Sequence, residues 1–518
     1  MTQEIQKFEN LLVSVVFYAF RAGTPMVTFL PINSGDKRSM NRLSKNFLYK
    51  IIVAGFVFLL AASGFAQVNK APLIQDIQIQ ADRQRVETAQ PLPATTPISS
   101  AGQTPSLVSK TGYSAPSNPN GIRTLFPALA EVQIPGYSGV LVESLDGNVV
   151  VESNSSSTFN PASNVKIATA YAVLKAFGPE FRFLTNVYTD GAIDRNTGTL
   201  NGNLYVSGKD PIFGYQHGVA LAQELNRLGI RTVSGDLIVT DNFVMNYSGS
   251  PLASAQTLAA TMDMSKRNPA ATKVWLNYLS YSGKFNQVNG VPGVTFTGST
   301  YVQPIPSTLN LLFTHESVQI REVLKATLCY SNNFLAERLG DLVGGPYAVA
   351  RLVQLNANVP PQEFSLATSS GLGYNRVTPN AMMRLLRALR NDLARYKMTF
   401  ADIMPVAGID KGTLEGRFDA DFARGSVVGK TGTLPNTDGG VSALAGEVNT
   451  RNGRLLFVIF NQRGSVARFR SFQNGFVSLV QGQFGGALPM AYDVISLETR
   501  LARSRVTYPT SYAYGNEE

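Results

Sequence analysis

The chain has 518 residues, of which 44% are hydrophobic and 15% are charged, and this composition is typical of a folded protein with two to four domains. Its two histidines and single cysteine exclude a Cys/His zinc site and an intramolecular disulfide, and they leave little basis for a Ser-His-Asp triad. The formal net charge of +10 comes without a run of Lys/Arg interleaved with aromatic residues, so nucleic-acid binding is not predicted, whereas peripheral association with an anionic cell wall or membrane surface is compatible with it.

The first predicted element is an export signal. From Met40, three basic residues precede an apolar run at residues 51–60, and small residues follow it as far as Ala66. This order predicts a signal peptide that is cleaved after Ala66, and therefore a protein of the periplasm or cell envelope. Retention as a membrane anchor is the alternative, although the apolar run is shorter than the roughly 20 residues that span a bilayer. Residues 1–39 precede a complete signal, which predicts that translation starts at Met40.

The next segments lead from a linker into the first folded elements. Residues 67–118 are rich in Pro, Ser, Thr, Gln and Ala and predict a disordered linker, because they cannot bury enough apolar surface to fold. Residues 139–154 alternate apolar and polar side chains around Asp-Gly, which predicts a β-hairpin. The alanine-rich stretch at residues 163–178 has helical spacing and ends in glycine, which predicts a helix.

The remaining chain divides into an insertion and its host. Residues 187–316 are broken by Gly, Asn and Pro into short segments, with one helical stretch at residues 218–230, and they predict a β-rich inserted domain. Helical patterns resume at residue 317 and strands follow them. The predicted organisation begins with an extension (residues 1–39), a signal peptide (40–66) and a linker (67–118). A host domain follows in two parts (119–186 and 317–495) on either side of the inserted domain (187–316), and a tail (496–518) ends the chain.

A serine and a lysine lie together at the start of the predicted helix. Ser163 and Lys166 are at i and i+3, so their side chains share one face about 5–6 Å apart. The first helical turn also offers free backbone N–H groups and the positive end of the helix dipole, which favour a developing anion. Taken alone, such a pair is more often a helix cap followed by a surface lysine than a nucleophile with its base. Other motifs in the sequence are therefore needed to distinguish the two interpretations.

Two further motifs change the interpretation of this pair. Ser331-Asn332-Asn333 follows Ser163 after 331 − 163 = 168 residues, in a turn between helical patterns. Lys430-Thr431-Gly432-Thr433 follows after 430 − 331 = 99 residues, within a strand pattern. A Ser-x-x-Lys, a Ser-x-Asn and a Lys-Thr-Gly box in this order are the signature of penicillin-binding proteins and serine β-lactamases.

With these three boxes, the chain resembles the D-alanyl-D-alanine carboxypeptidases of the class C low-molecular-weight penicillin-binding proteins. The resemblance extends from about residue 135 to residue 483 and includes "SSGLGYNRVTP" and "MPVAGIDKGTLEGRF". It implies an α+β fold, with a transpeptidase-like domain of antiparallel sheet flanked by helices and a β-rich domain inserted between the first two boxes. It also implies carboxypeptidase and endopeptidase activity on peptidoglycan stem peptides, inhibition by β-lactam antibiotics, and no metal or other cofactor.

The resemblance implies a role for each catalytic residue. Ser163 would be the acylated nucleophile, and Lys166 would be the base that removes its proton. Ser331 would relay a proton to the leaving nitrogen of D-alanine, while Asn333 would hold the substrate amide. A lysine is a useful base near neutral pH only when burial or a neighbouring cation lowers its pKa from about 10.4, and Lys430 is the predicted neighbour.

The strand box would bind the substrate. Lys430 and Thr431 would hold the terminal carboxylate of the peptide, and Gly432 would permit close approach of the substrate backbone. The backbone N–H groups of Ser163 and Thr433 would form the oxyanion hole.

The sequence departs from the family around its Ser-Gly-Leu segment. The family has an acidic or polar residue and Gly before this segment and Ser-Arg after it, whereas Thr368-Ser369 and Gly373-Tyr374 stand here. The arginine associated with the free carboxylate of the peptide is therefore replaced, and Arg376 is the candidate substitute, with plain loop surface as an equal alternative. The insertion is also shorter than in many members.

Two other functions remain open from the sequence. A serine β-lactamase shares the boxes, and Glu363 lies roughly where class A enzymes carry their deacylating glutamate, although Ala367 follows it where those enzymes have asparagine. A non-catalytic peptidoglycan-binding scaffold is the other alternative, but binding alone would not require both members of the serine-lysine pair. Cys329 is predicted to be a buried apolar residue, and Asp241 is predicted to cap a turn rather than to line a pocket.

Overall fold

A computed structural model describes residues 121–287 and 290–509 of the chain. The predicted extension, signal peptide and linker at residues 1–118 lie outside the described residues, as do the last residues of the predicted tail. Within the described ranges, no helix is both long and apolar enough to cross a membrane.

The described chain contains the following strands and helices. The strands are β1 Arg123–Thr124, β2 Tyr137–Ser144, β3 Val149–Ser153, β4 Leu184–Thr189, β5 Ala192–Asp194, β6 Thr199–Asn201, β7 Leu204–Gly208, β8 Thr232–Val233, β9 Leu237–Val239, β10 Thr295–Phe296, β11 Thr300–Val302, β12 Asn310–Glu316, β13 Phe364–Ser365, β14 Arg376–Val377, β15 Val427–Leu434, β16 Val441–Thr450, β17 Gly453–Gln462 and β18 Arg505–Thr507. The helices are α1 Pro127–Ala130, α2 Val165–Phe177, α3 Tyr215–Arg227, α4 Pro251–Met262, α5 Pro269–Tyr281, α6 Ile320–Tyr330, α7 Asn333–Asp341, α8 Gly345–Asn356, α9 Pro379–Arg395, α10 Val466–Gln483 and α11 Leu497–Leu501.

A six-stranded antiparallel sheet forms the centre of the fold. Its strand order is β1-β3-β2-β17-β16-β15, so β15, which carries the Lys-Thr-Gly box, is an edge strand. Val458 and Phe460 of β17 belong to the same apolar cluster as α2 and α9. Phe457 and Ile459 belong to the cluster that contains α10. Helices therefore cover both faces of the sheet, which is why the central strands are almost continuously apolar.

Helix α2 is buried on all sides. Its first ten residues, from Val165 to Leu174, are all buried, and this run includes Lys166. A helix that is apolar all round is typical of the interior of a large domain. Gly178 ends the helix with a φ of +73°, as the sequence predicts.

The chain leaves this domain at β4 and returns at β12. These two strands pair antiparallel, so both ends of the inserted region lie side by side. The region carries a sheet of order β11-β9-β7-β4-β12-β18 and a four-stranded sheet of order β10-β8-β6-β5. Besides the predicted helical stretch, which is α3, the region contains α4 and α5. Both begin with proline behind a capping Ser250 or Asn268, and this pattern starts a helix as readily as it breaks one.

The described part of the predicted C-terminal tail is ordered into the fold. Arg500 of α11 forms a buried ion pair with Glu322 of α6, with 3.0 Å between Arg500 Nη1 and Glu322 Oε2. Strand β18 then adds to the edge of the inserted region's sheet beside β12. A three-residue strand carries too little periodicity to be recognised in a sequence.

The two histidines of the chain meet inside the inserted region. His217 of α3 and His315 of β12 are fully buried, and their ring centroids lie 5.0 Å apart. His315 Nε2 is 3.1 Å from the Ser504 hydroxyl, next to β18. Burial, and secondly the charge of Lys284, lower the pKa of His315 to about 4, and burial also lowers the pKa of His217. Both side chains are therefore neutral at pH 7.

This pair predicts a loss of stability in mild acid. Because the folded pKa of His315 lies below its unfolded value of about 6.5, the unfolded chain binds more protons, and stability falls as pH drops from about 6.5 towards 4. For His315 alone the loss is on the order of 3 kcal/mol at pH 4. Asp210 acts in the opposite direction, since burial raises its pKa to about 7. Urea unfolding measures the free energy of unfolding at pH 7 and at pH 4.5. This free energy should decrease less between the two pH values in His315→Gln than in the wild type, and equal decreases would contradict this account.

Candidate active site

Ser163 lies in a tight turn that two other segments hold in place. The turn is a 3-10 helix, Ala162–Asn164, directly before α2, and Ala162 has a φ of +46°. A Cβ on Gly371 would lie 2.0 Å from the Ala162 carbonyl oxygen, and one on Gly432 would lie 2.7 Å from the Pro161 carbonyl oxygen. Both positions require glycine because the turn packs directly against them. The sequence predicted that Gly432 permits close approach of the substrate backbone. In the structure, the segment that approaches Gly432 closely is the turn that carries Ser163.

Lys166 is buried against the Ser163 hydroxyl. Its Nζ is 3.1 Å from Ser163 Oγ, 2.7 Å from Asn333 Oδ1 and 2.6 Å from the Ser370 carbonyl oxygen. Burial lowers the pKa of Lys166 to about 7, and the Glu337 carboxylate partly opposes this. The sequence hypothesis named burial and the neighbouring Lys430 as causes of a lowered pKa, and burial is the main cause. The lysine is therefore available as a base near neutral pH.

The Ser-x-Asn box is formed by the junction between two helices. Ser331 ends α6 in the left-handed conformation, with φ 54° and ψ 40°. Non-glycine residues adopt this conformation at a cost on the order of 1 kcal/mol, and such residues cluster at functional sites. Asn332 caps α7 by accepting a hydrogen bond from Leu335 N–H, and Asn333 directs its side-chain oxygen towards Lys166. The Cys329 thiol is buried and burial raises its pKa to about 12, as expected for a residue without a reactive role.

Lys430 is buried at the strand box, close to Lys166. It is fully buried, and its Nζ donates a hydrogen bond to the Thr431 carbonyl oxygen at 2.7 Å and contacts Thr431 Oγ1 at 3.4 Å. Burial, and secondly the nearby Lys166, hold the pKa of Lys430 well below its usual range. Lys430 is therefore held next to Thr431 and close to the serine-lysine pair, with its ammonium shielded from solvent.

The open edge of β15 presents backbone donors beside Ser163. Gly429 N–H points outward, since it donates a hydrogen bond to the Pro405 carbonyl oxygen at 3.2 Å on the side away from β16. Backbone N–H groups of an antiparallel strand alternate in direction, so those of Thr431 and Thr433 point to the same open edge. Thr433 N–H therefore points to the open edge of β15. Its side-chain Oγ1 accepts a hydrogen bond from Arg470 Nη2 at 3.0 Å.

Glu337 is a supporting residue that the sequence interpretation missed. Its two carboxylate oxygens accept hydrogen bonds from Ser369 N–H at 3.1 Å and Ser370 N–H at 3.0 Å, and the Ser370 carbonyl in turn contacts Lys166. Thr169 Oγ1 donates to the Ser369 carbonyl at 2.6 Å. Glu337 lies four residues after Asn333, on the same face of α7, and this spacing could have identified it.

Arg376 is already engaged by an acidic partner. Its guanidinium forms two hydrogen bonds with Asp438, at 2.8 and 3.1 Å, and Asn160 Nδ2 donates to the same carboxylate at 2.8 Å. The sequence analysis named Arg376 as the candidate substitute for the carboxylate-recognising arginine. In the structure its guanidinium connects the start of β14 to the loop after β15. Tyr374, beside it, is exposed.

The inserted region reaches the catalytic domain next to Asn333. The Tyr247 ring lies 5.5 Å from the ring of Phe334, which follows Asn333 in α7. Asp210 is fully buried nearby, and its charge contributes to raising the pKa of Tyr247. Asp241, which the sequence analysis considered as a possible pocket residue, is exposed. No group of three or more His, Cys, Asp or Glu side chains suited to a metal ion occurs in the part of the chain that the structure describes.

This fold is that of the penicillin-binding proteins. It is similar to a predatory endopeptidase from Bdellovibrio bacteriovorus, with a TM-score of 0.60 and 21% identity over 69% of this chain and 95% of the other. It is also similar to penicillin-binding protein 4 from Haemophilus influenzae, with a TM-score of 0.50 and 21% identity over 69% of this chain and 99% of the other.

The sequence comparisons define the family. Residues 127–252 and 254–481 match the D-Ala-D-Ala carboxypeptidase 3 (S13) family. The chain belongs to this family and is an enzyme of the hydrolase class. It is 25% identical over 465 residues to the D-alanyl-D-alanine carboxypeptidase of Actinomadura sp. (strain R39). This alignment covers 70% of this chain and 84% of the relative. The predicted fold class and the predicted resemblance are thus confirmed.

Proposed function

We propose that the protein is a serine-type D-Ala-D-Ala carboxypeptidase and endopeptidase that cleaves peptidoglycan stem peptides through an acyl-enzyme on Ser163. The observation that carries this proposal is the contact between Ser163 Oγ and the buried Lys166 Nζ at 3.1 Å, together with the pKa of about 7 that burial gives the lysine. The family and the names of its relatives support the substrate class.

The partners of Lys166 make it an oriented base. A neutral amine has two N–H donors and one lone pair. Asn333 Oδ1 and the Ser370 carbonyl accept its hydrogen bonds at 2.7 and 2.6 Å. With both donors occupied, the lone pair faces the longer contact, which is the Ser163 hydroxyl. Lys166 therefore takes the hydroxyl proton as Ser163 Oγ bonds to the carbonyl carbon of the penultimate D-alanine.

The remaining groups act on the charges that this attack creates. The backbone N–H groups of Ser163 and Thr433 stabilise the oxyanion of the tetrahedral intermediate. Ser331 relays a proton to the leaving nitrogen, so that the C–N bond breaks and D-alanine departs. Asn333 also holds the substrate amide, and Thr431 binds the terminal carboxylate, with the buried Lys430 ammonium beside it. Water then hydrolyses the ester on Ser163, with Lys166 again as the base.

The same nucleophile gives β-lactam sensitivity. A penicillin acylates the serine as a substrate does but leaves a slowly hydrolysed ester. Similar folds include the penicillin G-acylated Bdellovibrio endopeptidase and the Haemophilus protein in complex with a β-lactam, which supports inhibition of this chain by penicillin. The signal-like residues 40–66 support a location in the periplasm or cell envelope, where the basic net charge permits peripheral membrane association.

The structure offers little to the two alternatives. A class A β-lactamase uses a glutamate near its serine, but Glu363 accepts a hydrogen bond from Thr378 Oγ1 at 3.1 Å and contacts neither Ser163 nor Lys166 in the described part of the chain. A binding scaffold would gain nothing from burying Lys166 without an ion pair, since burial of a lone ammonium is unfavourable.

The proposal predicts two results for the purified protein. With a pentapeptide that ends in D-Ala-D-Ala, it should release one D-alanine for each peptide consumed. With a fluorescent penicillin, it should form a label that survives denaturing electrophoresis. Rapid penicillin hydrolysis without D-alanine release would instead indicate a β-lactamase, and neither reaction would indicate the scaffold.

A further inference from the structure

An arginine lies at the end of the substrate edge of β15. Arg470, in the second turn of α10, donates a hydrogen bond from Nη2 to Thr433 Oγ1 at 3.0 Å and is otherwise exposed. A guanidinium has five N–H donors in a planar fork, so most of the Arg470 donors remain available to a ligand. The Thr433 hydroxyl belongs to the residue whose backbone N–H faces the oxyanion.

The charge around Arg470 is not neutralised by an acid. Arg417 lies close to it, and burial, and secondly the charge of Arg470, lower the pKa of Arg417 to about 10. Arg417 donates its hydrogen bonds to the neutral side chains of Asn474, at 2.8 Å, and Gln473, at 3.1 Å. Within the described residues, neither arginine forms an ion pair. Two neighbouring guanidinium groups without an acidic partner attract an anion.

The other cations near the site are less suited to bind an anionic substrate. Arg376 is paired with Asp438, and Lys430 is fully buried with its ammonium directed at the Thr431 carbonyl. An exposed arginine keeps its charge at every pH that an enzyme meets, and its planar fork matches the two oxygens of a carboxylate.

We infer that Arg470 binds the C-terminal carboxylate of the substrate peptide, together with the Thr433 hydroxyl, and so determines specificity for a free carboxylate. The inference rests on the proposed function. When the scissile carbonyl lies at Thr433 N–H, the carboxylate belongs to the next residue of the peptide, and successive Cα atoms are only about 3.8 Å apart. Arg470, which already contacts the side chain of Thr433, is within that reach.

The test compares two peptides and four proteins. The peptides are one ending in D-Ala-D-Ala and its C-terminal amide, which lacks only the negative charge. The proteins are the wild type, Arg470→Gln, Arg470→Lys and the control Arg468→Gln, which removes the same charge from an exposed position on another side of α10. The value of kcat/KM is measured for each protein with each peptide, and the melting temperature of each variant checks that it is folded.

For Arg470→Gln we expect kcat/KM on the free acid to fall about ten- to a hundred-fold, with less than a threefold change on the amide. Arg470→Lys should lie between the wild type and Arg470→Gln, because it keeps the charge but loses the fork. Arg468→Gln should keep the acid-to-amide ratio of the wild type.

An unchanged acid-to-amide ratio in Arg470→Gln would overturn the inference while leaving the proposed function intact. Equal losses on acid and amide would also overturn it, because they would indicate a structural role. A wild type that cleaves neither peptide would overturn the proposed function and, with it, this inference.

Discussion

Replacement of Ser163 by alanine is expected to abolish D-alanine release. Removing one member of a nucleophile–base unit costs on the order of 10⁴- to 10⁶-fold in turnover. Folding should be unaffected, since the only described partner of the Ser163 hydroxyl is Lys166, and since the turn is held by backbone contacts at Gly371 and Gly432. Stopped assays with the pentapeptide, and melting curves of both proteins, measure the two effects.

Two outcomes would contradict the assignment of Ser163. One is a folded Ser163→Ala variant that retains more than about one hundredth of the wild-type turnover, because Ser163 is the only residue in the described chain whose hydroxyl hydrogen-bonds with Lys166. The other is a variant that has lost its fold as well as its activity, because the hydroxyl would then be structural.

Replacement of Lys166 by methionine should cost nearly as much activity and should also remove a pH dependence. In the wild type the lysine acts as a base only when neutral, so below its pKa of about 7 the acylation rate should fall about tenfold per pH unit, with a plateau above it. Methionine fills a similar volume but cannot accept a proton. The residual rate of Lys166→Met should therefore be flat between pH 5 and 8.

The stability of Lys166→Met provides the control for this prediction. The Asn333 and Ser370 oxygens lose their donor, which costs about 1–3 kcal/mol for each unpaired buried group. The melting temperature should fall, yet the protein should remain folded at 25 °C. An acidic limb near pH 7 that persists in the folded variant would show that another group is the base. Combining Lys166→Met with Ser163→Ala should add little further loss.

The sequence was sufficient for the boxes because they are local patterns, and the fold class followed from the family resemblance that the boxes carry. Ser163 and Lys166 share a helix face by spacing alone, and the two later boxes lie in a helix junction and a strand, as their patterns predicted. The roles of the individual box residues stay predictions until they are tested by mutation.

The contacts between distant segments could not be predicted from the sequence. The Ser370 carbonyl that orients Lys166 comes from 204 residues further along the chain, and Asp438, which binds Asn160, comes from 278 residues further along. Whether the Lys430 side chain is exposed or buried depends on which segments pack against β15. A single sequence does not specify this, and the burial of Lys430 was therefore not predicted.

The inserted region and the tail show a second limit of sequence patterns. Helices α4 and α5 were not predicted, because each begins with a proline and proline was interpreted as the end of a segment. Proline interrupts a helix in its interior but is favoured at the first helical position. Strand β18 pairs with β12 over only three residues, which are too few to show a periodicity in the sequence.

The most direct test of the central claim is to locate the acyl group in penicillin-treated protein. The wild type is incubated with penicillin, quenched in acid and digested, and the modified peptide is fragmented in a mass spectrometer. The account predicts one penicilloyl group per chain, bound as an ester at Ser163, and none in Ser163→Ala. A stable acyl group on a different residue, such as Ser331, or an unmodified wild-type protein would contradict it.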